Sequence, residues 1–484
     1  MKEKFNIKGE WFLPSNPSNK VHGTLVYDPQ SGADLDLYGT LDPSDLHRGL
    51  KDEIIIHGIS SDSKKITLYR CFMTQFGGVS LFRDEDSGKP SVSYSILYTL
   101  IGIHIDSPED LTFDTISCEI FNLDEWVGIS GFQRDPDEFE NMKNKEVKVH
   151  YKLPSPVEFE IDDNTKGRFN FTASHPGGMA FRKNLAINQA VAFEAIAKTD
   201  KNISELLDYV ISFQNFLILA LYQSTYPTSI ILSGEKHKNL YENGKSIRKS
   251  VLLYVSSRNF KENEKSKLGI EMIFNYRKIE KTFPARIKNW FAKYELLEPA
   301  FDLLFEQFYN DKMFTVNTFL NLAQAAETFH ARVDNHTKMP KADYTKMKDE
   351  ILNLAPKVYH EWLNEQFNFG NNLNLQRRLT EIADKYSNEI VDIILSDKSK
   401  FVLQVKHSRN YYTHYSDSSK KKALKGSDLF YLSQKLKILL VCAFLMEVGF
   451  EKEELSSSLS NLKWKLFSHL ADWKKNKVTE VPAN

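Results

Sequence analysis

The chain has 484 residues, 41% hydrophobic and 26% charged, with a formal net charge of −1. That length and balance describe an ordinary soluble protein of two or three domains with ample core and exclude a marginal mini-protein. Three cysteines, Cys71, Cys118 and Cys442, are far apart and odd in number, as expected in a reducing cytosol rather than a disulfide framework.

The N-terminus, Met1-Lys2-Glu3-Lys4-Phe5, lacks the apolar core of a signal peptide. Residues 1–155 read as β-rich. Alternating runs at 21–27, 53–59, 65–72 and 146–153 are separated by Pro, Gly, Asn and Asp turns. Residues 135–138 and Pro154-Ser155-Pro156 read as loop or boundary. Residues 156–283 mix strands at 189–197, 228–232, 251–256 and 270–276 with one strong helix at 203–222. On that helix Asp208, Ser212 and Asn215 mark the polar side, while Leu206, Leu207, Val210, Phe213, Phe216 and Leu217 mark the buried one. The β region is expected to continue through this segment as one composite module.

From Pro284 to residue 484 the pattern becomes helical, with periodic segments at 295–309, 315–333, 373–386, 389–395, 399–412 and 426–448. Phe319, Leu322, Ala326 and Phe329 form one apolar stripe. The longest apolar run, around 438–446, is too short for a bilayer and reads as a buried helix. Trp464 and Trp473, with Lys465, Lys474 and Lys475, suggest a final amphipathic helix packed on the bundle. The fold class is therefore α+β: a β-rich N-terminal module, with two subdomains (1–155 and 156–283) as an option, then an all-α bundle over 284–484. A cytoplasmic protein without a membrane partner is expected. No internal repeat, coiled coil or low-complexity tract is present.

Several catalytic motifs are missing. There is no G-x-x-x-x-G-K-[ST], H-E-x-x-H, C-x-x-C or G-x-S-x-G. His360-Glu361-Trp362 begins like a zinc-protease motif, but no second histidine follows it at the spacing that motif requires. His330 and His336 lie near Glu327 and Asp334, yet a spacing of six does not put them on one helical face. No metal site and no cofactor is expected.

Charge is unevenly distributed. Residues 101–165 carry 16 acidic and 5 basic residues, a balance of −11, and residues 398–437 carry 10 basic and 2 acidic, a balance of +8. The acidic stretch reads as solvated loops, with intramolecular cover of the basic segment as the alternative. The basic segment suits a polyanion, and it contains Lys406-His407-Ser408-Arg409-Asn410-Tyr411-Tyr412-Thr413-His414. Arginine offers a planar, permanently charged fork for phosphate. Histidine exchanges a proton near neutrality. Together Arg409 and His414 suffice to cleave an RNA phosphodiester by attack of the 2′-hydroxyl, without metal. Arg168 and His175 have a similar spacing but sit in a β-like stretch before the Pro176-Gly177-Gly178 turn, and that pair reads as structural. On a continuous helix Arg409 and His414 stand about 140° apart. Either the helix frays after Tyr411, or the working site combines two chains.

The helical region, with R-N-Y-Y-T-H at 409–414 preceded by L-A-Q-A-A-E-T-F-H at 322–330, resembles the HEPN superfamily, and within it the ApeA-type antiphage proteins. The N-terminus is similar to the same family through Gly9-Glu10-Trp11-Phe12-Leu13-Pro14, Val21-His22-Gly23-Thr24-Leu25 and Leu35-Asp36-Leu37-Tyr38-Gly39. Residues 160–280 match in general character only. The resemblance implies a homodimeric endoribonuclease acting in abortive infection. Its RNA target would be cellular, tRNA among the candidates, with a phage-derived trigger at the N-terminal module. His414 would be the general acid/base, Arg409 the clamp on the phosphorane charge, and Asn410 a polar residue orienting phosphate or histidine. Lys406, Lys420, Lys421 and Lys422 would contact the RNA backbone. Glu327 would support Arg409 or remain a solvated helix residue; Tyr411 and Tyr412 read as packing residues. Two other readings stay open: a non-catalytic RNA-binding or dimerisation module, and a sensor subunit whose partner is the toxin.

Overall fold

The computed structural model describes residues 3–462, apart from 43–53, 78–90, 138–140, 175–185, 241–245, 258–259 and positions 134, 142, 146, 263, 311, 335, 416 and 461. His175, the 176–178 turn and the expected final helix with Trp464 and Trp473 lie outside the described residues. By packing, the chain divides into two compact units, 1–288 and 289–484.

The first unit opens with six antiparallel strands: β1 (Phe5–Leu13), β2 (Asn16–Asp28), β3 (Gly32–Tyr38), β4 (Ile54–Ser60), β5 (Lys65–Gly77) and β6 (Ser91–Ile101). They pair in the order β6-β3-β2-β1-β4-β5, and β5 pairs back onto β6, so the sheet closes into a barrel. Closure removes the free edges that would otherwise invite aggregation. Alternation decides what fills it: Val21, Gly23, Leu25 and Tyr27 of β2 point inward while their neighbours face out. Trp11 is fully buried at the centre. A Cβ on Gly58 would overlap its ring, and one on Gly23 would come within 2.6 Å of Leu37 and 3.1 Å of Trp11. The glycines beside Trp11 are spaces for an indole, which accounts for part of the N-terminal motif in packing terms.

Strand β6 also pairs with β16, and the sheet continues beyond the barrel in the order β16-β13-β7-β12-β11-β10. These strands are β7 (Thr112–Ile120), β10 (Val157–Glu160), β11 (Thr165–Ala173), β12 (Gln189–Asn202), β13 (Pro227–Ser233) and β16 (Val251–Tyr254). The sheet is thus continuous across residue 155. Two short ladders stand apart from it, β8 (Phe132–Gln133) with β9 (His150–Tyr151) and β14 (Lys238–Leu240) with β15 (Ser246–Arg248). Strand β12 runs directly into a helix because Asn202 caps it. The Asn202 side chain accepts from the Glu205 N–H, and Glu205 accepts in return from the Asn202 N–H. Short α1 (Leu123–Val127) carries Trp126, and the long α2 (Ile203–Leu221) lies on β7 and β12. Phe213 of α2 stacks on Phe193 with ring centroids 4.2 Å apart. Trp126 meets Phe169, Phe213, Phe216 and Phe283 edge-on.

Three local expectations fail here. Residues 270–276 form no strand; a 3₁₀ turn (Gly269–Glu271) and a short helix, α3 (Tyr276–Ile279), occupy the segment. Met272, Ile273, Phe274 and Tyr276 are buried instead, with Phe274 on Phe216 and the Ile273 N–H donating to the Ala220 carbonyl, while Ile270 is exposed. Among the described residues of the 146–153 run only His150 and Tyr151 pair, and Val147, Val149 and Leu153 are exposed. On α2, Ser212 and Asn215 are buried: the last ten residues of the helix are enclosed on every side.

Helix α4 (Phe283–Tyr309) carries the unit boundary. The second unit is helical: α5 (Thr315–Val333), α6 (Lys341–Leu354), α7 (His360–Gly370), α8 (Leu375–Tyr386), α9 (Glu389–Leu395), α10 (Lys398–His414), the single turn α11 (Asp417–Lys420) and α12 (Gly426–Glu447). Residues 452–460 are also helical. Asparagine or aspartate begins α8, α9 and α10: Asn374, Asn388 and Asp397 each accept from the first-turn backbone. Helix α5 packs against α12, and α8 and α10 pack on α5. Phe329 and Phe444 meet at 4.8 Å in the core, with Phe301 4.5 Å from Phe444. Helices α2 and α12 are apolar and long enough to cross a membrane by composition, but 67% of each apolar window is buried within its own fold.

Candidate functional site: the α5–α10 face

Helix α10 is continuous through His414 and ends at Tyr415, which adopts a left-handed φ of 50° and donates its N–H to the Tyr411 carbonyl. Of the two options for this helix, fraying after Tyr411 does not occur. The Tyr415 N–H bond closes the last turn, and the Thr413 hydroxyl also donates back to the Arg409 carbonyl at 2.8 Å. Arg409 and His414 therefore keep their angular separation of about 140°.

The two residues sit in different settings. Arg409 is partly buried and donates to Glu327 Oε2 of α5 at 3.1 Å. Glu327 is thus not free in solvent. Its helix is further tied by Arg378 of α8, which reaches the Glu327 carbonyl at 3.5 Å. His414 is exposed at the C-terminal end of α10. Asn410 is half-buried beside Arg409.

Packing fixes the rest of the helix end. Ser408 is buried and accepts from the Leu424 N–H at 3.0 Å, while the Tyr412 hydroxyl donates to the Leu424 carbonyl at 2.9 Å. Tyr412 also lies edge-on to Phe319 of α5. These contacts hold the 420–425 loop against α10. Lys420, Lys421 and Lys422 are exposed on that loop, whereas Lys406 is half-buried and donates to Gln376 of α8 at 2.9 Å. Positive charge gathers here: desolvation first, then Lys422 and Lys406, hold His407 below its ordinary pKa. Lys437 belongs to the basic segment by sequence but not to this surface. It is buried, with its Nζ 3.4 Å from the centre of the Phe308 ring.

Of two other sequence expectations, the structural reading of Arg168 agrees with its contacts and the divergence of His330 and His336 does not hold. Arg168 forms an ion pair with buried Glu194, which also accepts from Asn170, a structural arrangement inside the sheet. His330 and His336, expected to diverge, converge on Glu381 of α8. The spacing argument assumed an unbroken helix, but α5 stops at Val333 and the chain folds back. Glu381 and Arg378 carry no local sequence signal for these contacts. Only the amphipathic pattern of α8, with Leu375, Leu379, Ile382 and Ala383 inward, places them on its flank.

The comparisons with known proteins agree with this architecture. The family model described as ApeA N-terminal domain 1 matches residues 6–290, and the one described as Apea-like HEPN matches residues 320–454. No curated protein and no solved structure gives a match. The two matches follow one another along most of the sequence and cover both the barrel-containing sheet and the helices that bring Glu327 to Arg409, so the chain belongs to the ApeA-like HEPN antiphage family.

Proposed function

We propose that the chain is an endoribonuclease that halts phage infection by cutting cellular RNA, with tRNA the first candidate, at a site built on Arg409 and His414. The observation that carries this reading is the pairing of Arg409 with Glu327 across α5 and α10, next to an exposed histidine and three exposed lysines. Anchored by Glu327, Arg409 presents its remaining N–H donors to a phosphate. His414 takes the proton from the 2′-hydroxyl as the 2′-oxygen bonds to phosphorus. The bond from phosphorus to the 5′-oxygen breaks, and the proton returns to that oxygen. The products are a 2′,3′-cyclic phosphate and a 5′-hydroxyl, and arginine stabilises the charge that builds on the phosphorane. Lys420, Lys421 and Lys422 hold the RNA backbone, and Asn410 orients phosphate or histidine.

On a regular helix one chain cannot bring both groups to one phosphate, since they diverge by about 140°. Two copies of α10 facing across a dimer axis remove the difficulty, and this supports a homodimer with shared sites. Residues 1–155 together with 156–283 serve as the sensing module, and 284–484 as the effector released by a phage-derived trigger. A second reading, a non-catalytic RNA-binding or sensor HEPN protein, is favoured by one feature: Arg409 is already engaged by a carboxylate.

The test maps RNA 5′-hydroxyl ends in cells carrying wild type or His414→Ala, with and without phage challenge. Discrete new ends in challenged wild type alone are expected. Equal ends and equal protection in both would overturn the catalytic reading and leave RNA binding, which charge reversal at Lys420, Lys421 and Lys422 would then abolish.

A further inference from the structure

The end of α5 carries a second cluster. At Asp334 the backbone leaves the helix (φ −120°, ψ 74°), its N–H still bonded to the His330 carbonyl. The His336 N–H then donates to the Asp334 carbonyl at 2.8 Å, which turns the chain back. This folds the His336 ring over His330, with centroids 5.6 Å apart. Glu381 reaches both from α8: its Oε2 lies 2.7 Å from His330 Nε2 and 3.2 Å from His336 Nε2. One donor atom from each of the three residues lies within 4.8 Å of the others.

Two imidazole nitrogens and a carboxylate oxygen form a donor set suited to a borderline divalent ion. With metal–ligand bonds of about 2.0–2.2 Å, donors around a tetrahedral zinc stand roughly 3.3–3.6 Å apart. The two Glu381–histidine separations need to open by less than about 1 Å to admit the ion, and the histidine donors, within 4.8 Å of each other, to draw in toward the same spacing. The remaining features also suit one. Arg377 donates to the other Glu381 oxygen at 3.0 Å and fixes the carboxylate's orientation. His330 is 1% exposed and held only through Nε2, its Nδ1 having no partner among the described residues. His336 is 49% exposed, which leaves a route for entry and room for a water as fourth ligand.

We infer that His330, His336 and Glu381 bind one divalent transition-metal ion of the zinc class, clamping the end of α5 to α8. The clamp sits one helical turn from Glu327, the residue that holds Arg409, so its role is to fix the position of the α5 end rather than to enter phosphodiester cleavage. It stands independently of the ribonuclease reading.

The full-length protein, stripped with a chelator, is titrated with Zn²⁺ against a chromophoric competitor while its unfolding midpoint is followed. Wild type should bind one Zn²⁺ per chain with a rise in midpoint. Both effects should be lost in His336→Ala, whose half-exposed ring can be removed without disturbing the core, and in Glu381→Gln. His360→Ala, a histidine on another helix, should keep both. Wild type that binds no Zn²⁺, or binds it no better than His336→Ala, overturns the inference and leaves a hydrogen-bonded trio. No step of the experiment reads RNA cleavage, so either proposal can fail while the other stands.

Discussion

Arg409 owes its orientation to a single carboxylate. The ion pair with Glu327 is about a third exposed at both side chains, so it contributes at most about 1 kcal/mol to stability. Its value lies in aiming a guanidinium fork, and a lysine in its place keeps the charge but not the fork. Arg409→Lys is expected to lower RNA cleavage by about 10²-fold with an unchanged unfolding midpoint. Single-turnover rates on the cleaved RNA, beside a thermal melt, check both halves; near-wild-type cleavage by the lysine variant would remove the clamp role. Lys437 makes the opposite case. Burial pushes its pKa down from 10.5 to about 7, with the Phe308 ring and the Gln307 carbonyl as its close neighbours. The unfolded chain keeps that proton up to about pH 10. Between about 7 and 10 the unfolded state therefore binds more protons, and this residue makes stability rise with pH across that window and leaves it flat below. Lys437→Met should stabilise the protein at pH 7 by about 1–3 kcal/mol and remove that slope, read from denaturant midpoints at a series of pH values. The Arg409 and His414 motif stands out in the sequence by its residue types and spacing. The burial of Lys437 does not, since it depends on an aromatic ring far away in the chain.

At the scale of elements, local signals worked where a period sufficed. The apolar stripe of α5 defines that helix from nearby residues alone, while the asparagine caps of α8 and α9 emerge from the structure. Of the two options left open for the end of α10, fraying fails because Tyr415 and the Ser408 and Tyr412 bonds to Leu424 complete the helix from outside it. The 270–276 run failed for a related reason: a short apolar run reads the same whether it pairs in a sheet or packs on a helix. Barrel closure was illegible in any local pattern, since it needs β5 and β6 to meet along their length while β1 pairs with β4. Its packing nonetheless makes a sharp demand at one glycine. Gly58→Ala pushes a methyl into the Trp11 ring and should cost about 1–3 kcal/mol, seen as a lower denaturation midpoint with a loss of near-UV signal. An unchanged midpoint would mean that Trp11 has space to move, contrary to its complete burial between β1 and β4.

At the scale of the molecule, the question is how many chains make one site. A regular α10 sends Arg409 and His414 apart, so a shared phosphate needs arginine from one chain and histidine from its partner. That arrangement has a consequence no single-chain site shares. Arg409→Ala homodimers lack the clamp in both sites, and His414→Ala homodimers lack the base in both. When the two variants are expressed together, a mixed dimer gathers both defects into one site and leaves the other with an intact arginine and histidine. With random pairing, half the dimers are mixed and each has one working site, so cleavage should return to about a quarter of the wild-type level. Each variant alone should be inactive. The measurement is a count of 5′-hydroxyl RNA ends in challenged cells expressing either variant or both. Recovery near that fraction requires a site shared between two chains; no recovery, with mixed dimers verified by differential tags, would return both residues to one chain and require α10 to unwind before it cuts.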